Sequence, residues 1–331
     1  MLFNLDTIEE ELEASFPNPP VLNQLKGDPE KGTMTMLLIP ATTHLFEPVY
    51  PETVDATIEW FKAITDYAGD YPQTYLVREL LIALAFVFFI ASIIVSFTID
   101  AVMVEPQGMD RLSGVVYGLV GFLIFLPAML LGNILSFPPQ VFGSSIAWWL
   151  MIWGIVIYLV TVIWRREKIE LSLRRGDVVY ALLVFVAGYI FCSGLEYVFG
   201  FGFRLLVPIM RMLSLKRVGS FLIYIPFIFI HFHSESNWFK TQTSSIQGLI
   251  ASKLGIFTAI ILAQYGGFYL PNIVLVGGFV GFILEFLVAI VPMLLISGLF
   301  TAYAQRYNRL GASVILNALL FSWIAAGLFP Y

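Results

Sequence analysis

Leu80–Ile99 reads LLIALAFVFFIASIIVSFTI, twenty residues without a charge. A helix of that length, at ~1.5 Å per residue, covers the ~30 Å hydrocarbon core of a bilayer. The stretch also divides the chain by composition. The 79 residues before it carry 14 acidic side chains against Lys26, Lys31, Lys62 and Arg78. The remaining 252 residues carry 9 acidic and 14 basic side chains and nearly all the long apolar runs. The first part is soluble in character and the second is membrane-embedded.

Composition agrees with this division. The chain is 59% hydrophobic and 12% charged, with a mean hydropathy of +0.85. A water-soluble globule of this length could not hide so much apolar surface in one core. Cys192 is the single cysteine and sits inside an apolar run, which excludes an intramolecular disulfide or a thiol-rich metal site and reads as packing. The first residues, MLFNLDTIEEELEASF, lack the basic and apolar regions of a secretory signal.

Working outward from Leu80, seven further apolar runs make an all-α polytopic membrane domain over residues 80–331. Its eight expected spans lie near residues 80–99, 112–135, 146–163, 178–199, 218–232, 246–269, 273–303 and 310–329. Gly114 with Gly118, and Gly277 with Gly281, are four apart and suit close helix approach. Pro127 and Pro292 predict kinks. Trp148, Trp149, Trp153 and Trp164 suit either interface anchoring or packing along the third span. The fifth run is short, ~14 residues, and would cross only if extended through Lys216 and Arg217 or helped by local thinning. FRLLVPIMRMLSLKR, just before it, has Arg204 and Arg211 on one helical face and reads as interfacial or re-entrant.

Basic residues set an expected orientation. With the N-terminal part outside, ten lie at inner loops and span ends, among them the cluster Arg165, Arg166, Lys168, Arg174 and Arg175, against five outside. The bias makes the front end extracytoplasmic.

In that front end, Thr7 and Glu10 have capping-box spacing ahead of a short acidic helix. TMTMLLI, at 33–39, reads as a strand ended by Pro40, and Pro51 opens an amphipathic helix with Val54, Ile58, Phe61, Ile64 and Ala68 on one face. His44 lies in the loop between them, a common mounting for catalytic side chains.

Together, MTMLLIPATTHLFEPVYPETVDATIEWF at 34–61 resembles the last strand, catalytic-histidine loop and closing helix of α/β-hydrolases of the esterase, acyl-peptidase and dienelactone-hydrolase kind. The resemblance implies a small N-terminal α/β segment over residues 1–79, with His44 as general base and Trp60 near the end of the closing helix. Asp6 is upstream of His44, as the acid of such a triad would be. The chain has no G-x-S-x-G. By the resemblance it is therefore a hydrolase-related fragment, subunit or degenerate member, not catalytic alone and completed by a second chain on the same side of the membrane.

Two alternatives come from the membrane half. Glu196 and Glu285 are carboxylates inside apolar spans, where an ionised group costs ~2.5–3.5 kcal/mol, so they suit a transporter or carrier, or structural pairing with Arg204 or Arg211. A structural or assembly subunit is the other. His231, His233 and Glu235 alternate in HFHSES and would point to one side of an extended backbone, as weak metal ligands; in a helix they would diverge. H-E-x-x-H, P-loop and dinucleotide fingerprints are missing, so no cofactor is expected, and no basic aromatic patch suits nucleic acid. The expected partner is the lipid bilayer.

Overall fold

The computed structural model describes residues 25–26, 35–36, 51–65, 75–99, 111–135, 141–164, 166, 168, 173–199, 212–240, 253 and 293–327. The chain forms two compact units, Met1–Leu80 and Leu81–Tyr331.

In the first unit, β1 (Leu25–Lys26) pairs antiparallel with β2 (Thr35–Met36), with Leu25 opposite Met36 and Lys26 opposite Thr35. Helix α1 (Pro51–Thr65) starts at the expected proline, whose missing N–H suits a first helical position. Val54 and Ile58 are half-buried and Phe61 is exposed, packed edge-on against Trp60. The expected strand over 33–39 is thus described only as a two-residue rung. Such a rung does not support the α/β segment that the resemblance implied, since it offers little surface for a helix to cover. His44 and Asp6 lie outside the described residues.

The second unit is helical. Its elements are α2 (Tyr75–Ser96, which begins in the first unit), α3 (Arg111–Leu135), α4 (Val141–Ile163), α5 (Arg175–Phe199), α6 (Leu215–Lys240), α7 (residues 293–306) and α8 (Leu310–Gly327). Among the described residues, Ser144–Ile163, Arg175–Tyr197, Leu215–Phe239 and Leu310–Gly327 are long and apolar enough to cross a membrane; Leu80–Ser96 and Leu112–Phe125 are shorter apolar helices. These four helices, among the described residues, do not support the eight expected spans. The expected sixth span, apart from Lys253, and the seventh up to residue 292 lie outside the described residues.

Helix α8 is the hub. It is apolar on every side, as a helix enclosed by others must be, and it packs against α4, α5 and α6. Helix α4 lies between α3 and α6, and glycines set both approaches. A Cβ on Gly154 would come within 2.6 Å of His231 Cα, and one on Gly132 within 2.7 Å of Ser145 Cα. These glycines, with Gly121 under the Trp153 ring, are where backbones and large rings approach closely.

The tryptophans divide between the two expected roles. Trp149 and Trp153 are fully buried and stack at 5.4 Å, with Trp149 Nε1 donating to Gly121 O at 2.9 Å, whereas Trp164 is exposed at the end of α4. Buried Cys192 packs within the bundle. The outer faces of α2 and α3 carry exposed side chains such as Phe88 and Leu123, a surface suited to lipid and not to water.

Two helix ends correct the expected boundaries. α6 runs eight residues past Phe232 to Lys240, straight through the polar HFHSESNW segment. Those side chains are carried within the protein: Ser234, Ser236 and Asn237 are buried, with Asn237 Nδ2 donating to His233 O at 2.9 Å. At the other boundary α7 turns into α8 through Asn308, whose φ of 55° is tolerated by asparagine. Arg309 N donates to Ala304 O at 2.6 Å and Asn308 N to Gln305 O at 3.1 Å, the paired bonds of a Schellman cap. Arg309 O then accepts from Ala312 N and Ser313 N, opening α8.

Candidate functional site

Because α6 stays helical through 231–235, His231 and Glu235 are four apart and share a face, as i,i+4 positions must. His233 diverges to another face, where it stacks on Phe229 at 5.7 Å. The arrangement expected of an extended HFHSES is therefore not present; helical geometry retains the His231/Glu235 pair and separates His233 from it. Among the described residues no group of three metal-ligating side chains forms.

A polar cluster inside the bundle surrounds Glu235. Lys253 Nζ donates to Glu235 Oε2 at 2.9 Å and to Oε1 at 3.1 Å, and to Ser297 Oγ at 2.8 Å. Tyr117 OH, from α3, donates a short hydrogen bond to Glu235 Oε2. His231 Nε2 lies 3.5 Å from the same oxygen and 3.4 Å from Tyr117 OH. On the other oxygen, Thr301 Oγ1 approaches Oε1 at 3.5 Å. Both charged side chains are wholly buried.

Hydroxyl and amide groups of α7 and α8 extend the cluster. Thr301 Oγ1 donates to Ser297 O at 2.9 Å, one turn back, and Ser297 Oγ to Leu294 O at 2.8 Å. Asn317 Nδ2 reaches Ser297 O at 3.3 Å and Thr301 Oγ1 at 3.4 Å, leaving its Oδ1 without a hydrogen-bond partner.

Aromatic rings wall this cluster off. Trp153 lies 4.5 Å from the His231 ring and 4.6 Å from Tyr117, and Phe239 lies 5.0 Å from Tyr117 on another side. Lys253 Nζ sits 5.9 Å from the Phe232 ring centre. A carboxylate in so dry a setting must be paired or hydrogen-bonded on both oxygens. Glu235 is, through the Lys253 ammonium on both oxygens and the Tyr117 hydroxyl and His231 imidazole on Oε2.

The chemistry of the arrangement follows from its donors. Tyr117, His231 and Lys253 can each pass or accept a proton, and all three meet one carboxylate. Moving one proton from Lys253 to Glu235 would cancel both charges without any heavy atom leaving its place.

The other expected carboxylates lie elsewhere. Glu196 is near the end of α5, where its Oε2 accepts from Met212 N at 2.7 Å. It holds the chain entering α6, and the structure shows it in this backbone contact. Glu285, Arg204 and Arg211 lie outside the described residues.

The sequence pattern singles out His231 and Glu235, for a different geometry, and leaves out Tyr117, Lys253, Ser297, Thr301 and Asn317. A signal exists: Lys253 is seven residues inside the expected sixth span and opposite in sign to Glu235. Ser297 and Thr301 also have i,i+4 spacing in the seventh. No protein-family model, curated protein or solved structure matches this chain.

Proposed function

We propose that this is a proton-coupled membrane carrier whose centre is the Glu235–Lys253 pair. The observation that supports the reading is that a fully buried carboxylate bonded to a fully buried ammonium also carries a tyrosine and a histidine within reach of one oxygen. A pair kept for fold alone needs one good partner on each side; a pair that is to change protonation needs routes for the proton. The centre differs from the Glu196 and Glu285 pair expected from sequence. By the positive-inside rule the edge carrying Arg166, Lys168, Arg174 and Arg175 faces the cytoplasm. The same bias of basic residues makes the first unit extracytoplasmic in this proposal.

The test is proton flux in proteoliposomes enclosing a pH-sensitive dye, under an imposed membrane potential. Wild type is expected to conduct protons or to acidify with a co-substrate, and Glu235→Gln to lose that flux by at least about tenfold. Folded Glu235→Gln with wild-type flux overturns the proposal and leaves the pair as a structural lock.

A second reading concerns the first unit. Helix α1 begins at Pro51, seven residues after His44, where the hydrolase resemblance places a closing helix. In this reading the unit binds a chain that supplies a serine nucleophile. Labelling of such a copurifying chain by a fluorophosphonate probe supports it, and absence of labelling in the native complex removes it.

A further inference from the structure

Helices α2 and α5 enclose an apolar groove of about 540 Å³, lined by Ala85, Phe89 and Ser96 of α2 and by Val184, Gly188 and Phe191 of α5, with Phe88 and Ser92 on its outer side. The two helices meet through large side chains: Phe89 stacks on Phe191 at 6.2 Å, and its ring comes within 2.9 Å of where a Cβ on Gly188 would lie. Phe88 is 68% exposed and Phe191 46% exposed, so the groove's rim meets whatever surrounds the bundle.

We propose that this groove is a binding site for one acyl chain of an anionic phospholipid, with the lipid's phosphate held at the basic edge beside Arg309. Two independent features select this occupant. The first is length. From Ala85 to Ser96 the groove follows α2 for eleven residues, or ~16 Å, about half of a ~30 Å hydrocarbon core. It therefore has the depth of one leaflet and ends at a helix terminus, where a headgroup begins.

The second feature is charge at that end. Ser96, the last groove residue, hydrogen-bonds to Tyr180 of α5. The Arg309 guanidinium lies 4.9 Å over the Tyr180 ring, and its Nη2 donates to Ile99 O at 2.6 Å. Arg174 and Arg175 are exposed at the start of α5, on the same edge. The Asp177 carboxylate is the one acidic group described there, in electrostatic reach of Arg174 and Arg309. Among the described residues, three guanidinium groups thus stand against one carboxylate at this end, an excess of positive charge that attracts an anionic headgroup over a zwitterionic one.

Phosphatidylcholine vesicles containing the full chain, doped with a diazirine-acyl phosphatidylglycerol or with the matching phosphatidylcholine, test the site by photolabelling and peptide mapping. Labels are expected on α2 and α5 groove residues, with a preference for the glycerol lipid of about fivefold for each arginine engaged. Arg309→Gln should lower that preference. Because Arg309 also caps α2, Arg174→Gln with Arg175→Gln provides the same reading from exposed positions. Ser92→Phe or Ala187→Phe should fill the groove and abolish its labelling while leaving α3 labels at Leu119 and Leu123 unchanged. Equal labelling by both lipids, or labelling of the groove no greater than of the α3 face, overturns the site. Cross-links from the groove to a second copy or to residues 254–292 of the same chain overturn it as well.

Discussion

Replacing Glu235 by glutamine tests the energetic reading of the buried cluster. The substitution keeps shape but leaves the Lys253 ammonium with one neutral amide and with Ser297 Oγ at 2.8 Å. Breaking one side of a buried ion pair costs ~3–5 kcal/mol, most of it the penalty of the charge left behind. Lys253→Met should cost about the same for the opposite reason, since the Tyr117 hydroxyl and a neutral His231 leave the Glu235 charge uncompensated. Independent effects would sum to roughly 6–10 kcal/mol in the double variant. If the cost of each single variant is the orphaned charge, the double variant has none to orphan. It should then lie within a few kcal/mol of wild type, or above it. Denaturation in detergent micelles, followed by tryptophan fluorescence from the Trp149 and Trp153 pair, measures the four corners of this cycle. Single variants within ~0.5 kcal/mol of wild type, or a double variant at the sum of the singles, would refute the reasoning. The proposed function adds a separate demand: the double variant regains stability and still carries no proton flux.

Other sites give sharper geometric tests. Gly154→Val should lower the unfolding midpoint, by ~1–3 kcal/mol or more, because its Cβ would meet His231 backbone atoms at 2.6 and 2.8 Å; an unchanged midpoint would show that α4 and α6 can separate freely. Trp149→Phe should cost ~0.5–1.5 kcal/mol for the lost Nε1 bond to Gly121 O, measured by the same melt. Glu196→Gln should stay within ~0.5 kcal/mol of wild type and keep full flux, since an amide oxygen can still accept from Met212 N; loss of flux would return Glu196 to the centre.

Much of the helical architecture was legible because apolar run length is a one-dimensional property. Helix α3 was placed within a residue of both its ends, and α8 at its start. α6 was cut short at Phe232 because HFHSESNW looks polar by composition. Its polarity could be judged correctly only with its neighbours present, since Glu235 is tolerable there once Lys253 and Tyr117 reach it. Among the described residues, close approaches lie at Gly121, Gly132, Gly154 and Gly188. Spacing along one helix does not say which face its neighbour takes.

The sequence by itself determined that this chain belongs in a bilayer: Leu80–Ile99 and the runs after it can leave water only as helices, because each segment satisfies its own backbone hydrogen bonds. The tertiary structure alone decided which polar residues meet. Tyr117, Glu235, Lys253, Ser297 and Asn317 are spread over 200 residues, and no periodicity links them. The requirement that a buried charge find its counter-charge acts across helices, and so becomes visible only after the helices have packed.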